Sequence, residues 1–291
     1  MKHIQSFSLF EAQTSVLTTD QEEFLNECTD GTWSVNPTTG LVDVKGDFDC
    51  SSKRLKSLSG ISFGHVSGYF FCSNNQLTSL KGAPQTVSGT FFCTDNKLTS
   101  LKRAPQTVGG SFYCGENQLT SLEGAPQTVS EDFWCHQNRL TSLEGAPQTV
   151  GGSFNCMDNR LTSLAGAPQT VDVDFNCFHN NLKSLEGAPQ KVGRNFKCNG
   201  FQLDPGKWNM EGWLEVLNTG TPAAQKLILT LPWLQPNWWN SELQRDPGKT
   251  VHLLATVWND MTKNMQSAIK IPKGYEDDFE LFSGFDELGL F

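Results

Sequence analysis

Long apolar runs are missing from this 291-residue chain. No stretch approaches the 18 or so residues that a membrane-spanning helix requires, so no span and no membrane partner are expected. Charge is scarce at 18% of residues, and positive charge scarcer still, with 22 Lys+Arg against 31 Asp+Glu and a net charge of −9. Phosphate backbones are bound through clustered lysines and arginines, so nucleic acid is not an expected partner. The N-terminus, Met1-Lys-His-Ile-Gln-Ser-Phe-Ser-Leu-Phe-Glu-Ala12, lacks an unbroken apolar stretch of the secretory kind, and no export signal is expected. Cys-x-x-Cys pairs are absent as well. Zinc is thus left without its usual ligand spacing, and neither metal nor cofactor is expected.

Cysteine itself is plentiful, and its spacing organises the chain. Cys50, Cys72, Cys93, Cys114, Cys135, Cys156, Cys177 and Cys198 follow one another at 22 and then 21 residues, with only Cys28 outside the series. A fixed period of this size marks a solenoid. Two residues before each of these cysteines stands a phenylalanine: Phe48, Phe70, Phe91, Phe112, Phe133, Phe154, Phe175 and Phe196. Phe-x-Cys is the alternation of a short strand with one buried face. Asn75, Asn96, Asn117, Asn138, Asn159 and Asn180, three residues after the cysteines, mark the bend that ends the strand. Ala-Pro-Gln, as in Ala83-Pro84-Gln85, suits neither a central strand nor a long helix. Each unit therefore reads as one strand, a turn and a compact return segment.

Stacked units line identical residues into columns about 4.8 Å apart, and eight strands give a sheet roughly 35 Å long. The cysteines form an inward column of small apolar groups, too far apart for relaxed disulfides, in a reducing, cytosol-like compartment. The asparagine amides are expected to satisfy turn backbone groups and one another.

Phe-x-Cys-x-x-Asn-x-Leu-x-x-Leu resembles the leucine-rich-repeat pattern, with Phe and Cys in two leucine slots, over residues 46–203. It is similar to the Gly-Ala-Pro-rich repeats of bacterial and tailed-phage proteins. The resemblance implies a repeat solenoid, a leucine-rich-repeat-like parallel β-sheet of about eight short strands, closed by a short helical cap at its N-terminal end and an α-helical cap at its C-terminal end. It does not imply a ligand, because such solenoids serve many unrelated functions.

The remaining chain divides around this body into residues 1–18, a cap at 19–45, a helical cap at 204–273 and a tail at 274–291. Thr19-Asp-Gln-Glu22 reads as a capping box, and Trp33 to Val44 as an N-terminal strand or hairpin. Asp204-Pro205, Thr221-Pro222 and Asp246-Pro247 each read as an N-cap followed by proline in the first helical position. Six of the eight tryptophans lie in this cap, to cover the last rung or to form a binding surface. The tail interleaves six acidic residues with aromatics, either to dock on a partner or to fold back on the cap.

Residues 72–203 hold ten Lys/Arg and ten Asp/Glu, so the solenoid body is neutral. Immediately before the cysteines the outward column reads Asp49, Phe71, Phe92, Tyr113, Trp134, Asn155, Asn176, Lys197. Four consecutive aromatics continued by polar residues have the composition of a recognition surface. The expected protein- or peptide-binding face comprises Phe71, Phe92, Tyr113, Trp134, Asn155 and Asn176, with Asp132 and His136 on its flanks and Tyr69 in the same flanking column as Asp132. The alternative is a ladder whose rings only stabilise the sheet. A threonine column, Thr78, Thr99, Thr120, Thr141 and Thr162, reads as a turn position rather than an ice-binding row. Asp158 and His179, one rung apart, form a conceivable acid–base pair, but no exposed nucleophile accompanies them and catalysis is not expected.

The first dozen residues resemble the capsid-targeting peptides of internal head proteins in T-even-like phages, which are cut after a Leu/Ile-x-Glu motif. Leu9-Phe10-Glu11 followed by Ala12 fits that pattern, with processing between Glu11 and Ala12. The resemblance implies a phage protein of the host cytoplasm or virion interior. The other reading is a plain amphipathic or disordered N-terminal segment.

Overall fold

The computed structural model describes residues 17–199 and 201–203, single positions between 208 and 231, and residues 236–257 and 263–276. The repeats wind into a parallel β-solenoid. Its Phe-x strands are Phe70–Phe71, Phe91–Phe92, Phe112–Tyr113, Phe133–Trp134, Phe154–Asn155, Phe175–Asn176 and Phe196–Cys198. They pair in parallel with Phe opposite Phe throughout.

The expectation of one strand per unit is corrected by a second ladder on the return segment. Phe63–Val66, Thr86–Val87, Thr107–Val108, Thr128–Val129, Thr149–Val150, Thr170–Val171 and Lys191–Val192 also pair in parallel, with Val over Val. The proline of each Ala-Pro-Gln precedes this strand and so removes no ladder hydrogen bond. Both ladders start on one long strand, Val42–Asp49, whose first half pairs with Phe63–Val66 and whose end pairs with Phe70–Phe71.

Each coil turns a phenylalanine, a cysteine, leucines, an alanine and a valine inward. From Phe91 to Val108, for example, Phe91, Cys93, Leu98, Leu101, Ala104 and Val108 are all buried. Across the coils the buried phenylalanine rings stand 5.2–5.5 Å apart at 6–18° between planes. Such offset stacks are worth about 0.5–1.5 kcal/mol per pair beyond the area they bury.

Asparagine closes each coil onto the one before it. Asn117 Nδ2 donates to the carbonyls of Cys93 at 3.0 Å, Gly115 at 3.0 Å and Cys114 at 3.3 Å, while its Oδ1 accepts the Leu98 N–H at 2.9 Å. The same set recurs from Asn75 to Asn180. The recorded bonds all go to backbone, so the expected bonding of the amides to one another gives way to bonding between neighbouring coils.

The N-terminal end is closed by a helix, α1, at Thr19–Cys28. Its capping box lies one residue earlier than expected, with Thr18 as N-cap and Gln21 returning a bond to the Thr18 N–H. Phe24 of α1 meets Phe48 edge-on at 6.0 Å. The expected hairpin is present as strand Thr29–Val35 antiparallel to Val42–Asp49.

At the other end Phe201–Leu203 folds back antiparallel on Phe196–Cys198. Trp208 then stacks on Phe196 at 3.8 Å and donates to the Pro189 carbonyl at 2.9 Å, so a cap tryptophan covers the phenylalanine column. Beyond it run α2, Pro236–Arg245, α3, Pro247–Val257, and α4, Lys263–Ala268. Helix α3 starts at the proline after Asp246, as expected, and Thr221 Oγ1 accepts the Ala224 N–H at 3.3 Å. The Asp204-Pro205 start and the tail beyond Glu276 lie outside the described residues.

Two substitutions test this account. Asn117→Ala strands the buried Leu98 N–H and takes one of two donors from each of the Cys93, Cys114 and Gly115 carbonyls; equilibrium denaturation is expected to show a loss of about 1–3 kcal/mol. Arg103 occupies, at φ 74°, the column that Gly82, Gly124, Gly145, Gly166 and Gly187 fill with φ between 82° and 95°. Only glycine takes this conformation without strain. Arg103→Gly is therefore expected to stabilise the fold by about 1 kcal/mol, read as a rise in thermal midpoint.

Candidate functional site: an aromatic column on the strand face

The outward residues of the Phe-x ladder form a continuous column. Phe71 and Phe92 stack at 4.6 Å with 13° between planes; Tyr113 follows at 5.0 Å and Trp134 at 4.8 Å, tilted by 47° and 52°. Stacking hides much of each ring, so Phe71, Phe92 and Tyr113 are half-buried while Trp134, at the end of the row, is exposed. The nearly parallel, stacked phenylalanines turn their edges outward, and the column is a ridge rather than a set of slots.

Tyr69 extends this ridge sideways, its ring 5.9 Å from Phe71 and lying over Gly89. At 46% exposure it is the most exposed large apolar side chain among the described residues, and sequence reasoning had placed it only on the flank. The signal was available. Its column otherwise holds Asp47, Thr90, Ser111, Asp132, Ser153 and Asp174, short acceptors that bond the next coil, and tyrosine breaks that series.

The acceptors show what the flank does. Asp47 Oδ1 takes the Tyr69 N–H at 2.7 Å, Thr90 Oγ1 takes Ser111 N–H at 3.1 Å, and Asp132 Oδ1 takes Ser153 N–H at 2.7 Å. Asp132 Oδ2 also accepts from the Tyr113 hydroxyl at 3.4 Å, so it anchors the ridge while linking two coils. Burial, with Asp132 beside it, raises the Tyr113 phenol above its ordinary value. Burial opposes the charge on Asp174 too, but bonds from Asn195 and the cations Lys197 and Arg194 outweigh it and hold that carboxyl below the usual range.

The remaining candidate residues continue the face. Asn155 and Asn176 are half-buried and accept the N–H groups of Met157 and Phe178, both at 3.1 Å, so their carbonyls hold the turn. His136 lies over Gly115, with its ring 6.1 Å from Trp134 and Nε2 3.8 Å from the Glu116 carboxylate; its Nδ1 is buried without a hydrogen-bond partner. Glu11 and Ala12 lie outside the described residues.

Acid–base chemistry has a geometric counterpart without an enclosure. Asp158 Oδ1 and His179 Nδ1 are 2.9 Å apart, on residues with φ of 53° and 52° in the turn column, and His179 is exposed. Ser88 Oγ lies 3.4 Å from His65 Nε2 on the opposite ladder, with both residues exposed. Two clefts among the described residues lie elsewhere: about 240 Å³ between α1 and the first coil, lined by Phe24, Leu58 and Ile61, and about 430 Å³ at Asn240, Leu243 and Lys270. Among the described residues no group of three or more His, Cys, Asp or Glu is arranged to hold a metal. Nor is any helix among them long and apolar enough to cross a membrane.

The threonine row Thr78 to Thr162 is exposed along the turns, and the return ladder adds a second row, Thr86 to Thr170, aligned coil on coil. The cysteine column is closed to solvent, and its thiols bond the next coil, as from Cys72 to the Phe92 carbonyl at 3.2 Å. Burial drives the thiols from Cys50 to Cys177 well above their ordinary pKa, and Cys28 up to about 11.

Fold and face together define a repeat solenoid with an aromatic column. Compared with protein-family models, curated proteins and solved structures, the chain matches none of them.

Thiolates are the reactive species, so these cysteines are expected to be inert in the folded state. A chromogenic disulfide reagent at pH 8 should titrate none of the nine in the native protein and all nine in denaturant.

Proposed function

We propose that this chain is a non-enzymatic binding protein of the leucine-rich-repeat type, phage-encoded, that engages a protein or peptide through the strand-face ridge. The observation that carries the reading is the exposure of Trp134 and Tyr69 at the end and side of a stacked aromatic row. A ladder serving only the sheet gains its energy from ring-to-ring contact and has no need of two large apolar groups in water. Tyr and Trp are also the side chains that most often dominate protein interfaces. Phage origin rests on the likeness of the first dozen residues to capsid-targeting peptides, and the host cytoplasm or the virion interior is the corresponding location.

Affinity capture from host lysate tests the ridge. The protein with Phe71, Phe92, Tyr113 and Trp134 all replaced by alanine is expected to lose a partner that the intact protein retains, both folded by circular dichroism. Equal capture by the two proteins would remove the ridge from the interaction.

The repeated coil-to-coil bonding of the body supports a second reading, a structural or internal component of a phage head. That reading expects the protein inside purified particles with Ala12 as its first residue.

A further inference from the structure

The neutrality of the solenoid body conceals a division of charge between its sides. Over residues 46–193, the seven strand-face segments from four residues before to two after each cysteine contain Asp47, Asp49, Asp95, Glu116, Glu131, Asp132, Asp158 and Asp174, and no Lys or Arg. The turns and return segments between them carry eleven Lys/Arg and four Asp/Glu. Winding therefore aligns eight carboxylates along the strand-face segments, while the eleven lysines and arginines fall in the turns and return segments.

Lateral contacts join these columns into one surface. Tyr113 reaches Asp132 on one side; on the other, Trp134 meets His136, and His136 meets Glu116. Asp49, Asp95 and Glu131 are exposed and have no ion-pair partner among the described residues. Asp95 and Glu116 occupy the same column in successive coils, within the roughly 8 Å over which physiological salt leaves charges in communication. Like charges stacked in this way repel and cost stability. An external cation relieves that repulsion.

We infer that the partner of this face is a basic polypeptide segment bearing lysine or arginine. This inference rests on the reading of the strand face as a binding surface and names the chemistry it takes. The aliphatic stem of a Lys or Arg side chain packs on the outward ring edges of Phe71, Phe92 and Tyr113. Its charged head then reaches Asp49, Asp95, Glu116 or Glu131. Only in the last coil does the face turn positive, at Arg194 and Lys197, which marks one end of the footprint.

The test is fluorescence anisotropy with a labelled twelve-residue peptide of alternating arginine and serine, and a second in which glutamate replaces arginine. The full chain is compared with three variants. The face variant combines Asp49→Asn, Asp95→Asn, Glu116→Gln and Glu131→Gln, which keep side-chain shape. A control combines Glu123→Gln, Glu144→Gln, Asp172→Asn and Glu186→Gln and removes the same charge from the return arc. The third is the four-alanine ring variant. The arginine peptide is expected to bind the full chain and the control, to weaken tenfold or more on the face variant, and to weaken further in raised salt. The glutamate peptide is expected not to bind.

Equal loss on the face and control variants would reduce the effect to net charge and overturn the inference. Binding of both peptides, or of neither, would also overturn it. If the ring variant keeps full affinity while the face variant loses it, the basic partner stands and the aromatic ridge falls as its anchor.

Discussion

In-register stacking is the constraint on which everything else here depends. Because coil pairs with coil at an offset of 21 residues, 22 at the first, with Phe over Phe and Val over Val, no inward side chain is chosen alone. Each must be compatible with a copy of itself one rung away. Phenylalanine meets the requirement inside by stacking, cysteine by being small, and asparagine by bonding its own turn and the coil before it. A charged residue fails unless it faces water, and the buried columns accordingly contain none.

The same constraint separates the two arcs of the coil. The return segment repeats Ala-Pro-Gln-Thr-Val almost unchanged, and its geometry is held by turn hydroxyls such as Ser121, which accepts the Glu123 N–H at 2.9 Å. The outward strand positions are released from that duty and vary from coil to coil. Where they are released they carry aromatics and carboxylates. Where they are not, as at Asp132 and Asn155, a polar residue on the strand face is also a structural bond.

Periodicity made the Phe-x ladder and the inward columns legible, since each rests on residues recurring at one spacing, and capping signatures pointed to α1 and to the start of α3. The Thr-Val ladder was not legible. Two residues are too few for alternation to register, and the neighbouring proline argued against a strand that in fact begins just after it. Tyr69 was read only as a flank residue because its column looked like a polar rim, when the short acceptors there are turned to the next coil's backbone and the tyrosine projects. Segment totals likewise hid the charge asymmetry, which exists only after the chain is wound.

The asparagine ladder gives the solenoid a direction of assembly. Each Oδ1 accepts from a leucine N–H in the preceding coil, as Asn138 does from Leu119, so a coil is complete only when its successor arrives. During synthesis at about 5–20 residues per second, a new coil emerges every one to four seconds or so and locks the one behind it. The newest coil is always unfinished, its phenylalanine ring open to solvent, until Trp208 closes over Phe196. Closure of the stack is thus timed by the segment that follows the last coil rather than by any coil itself.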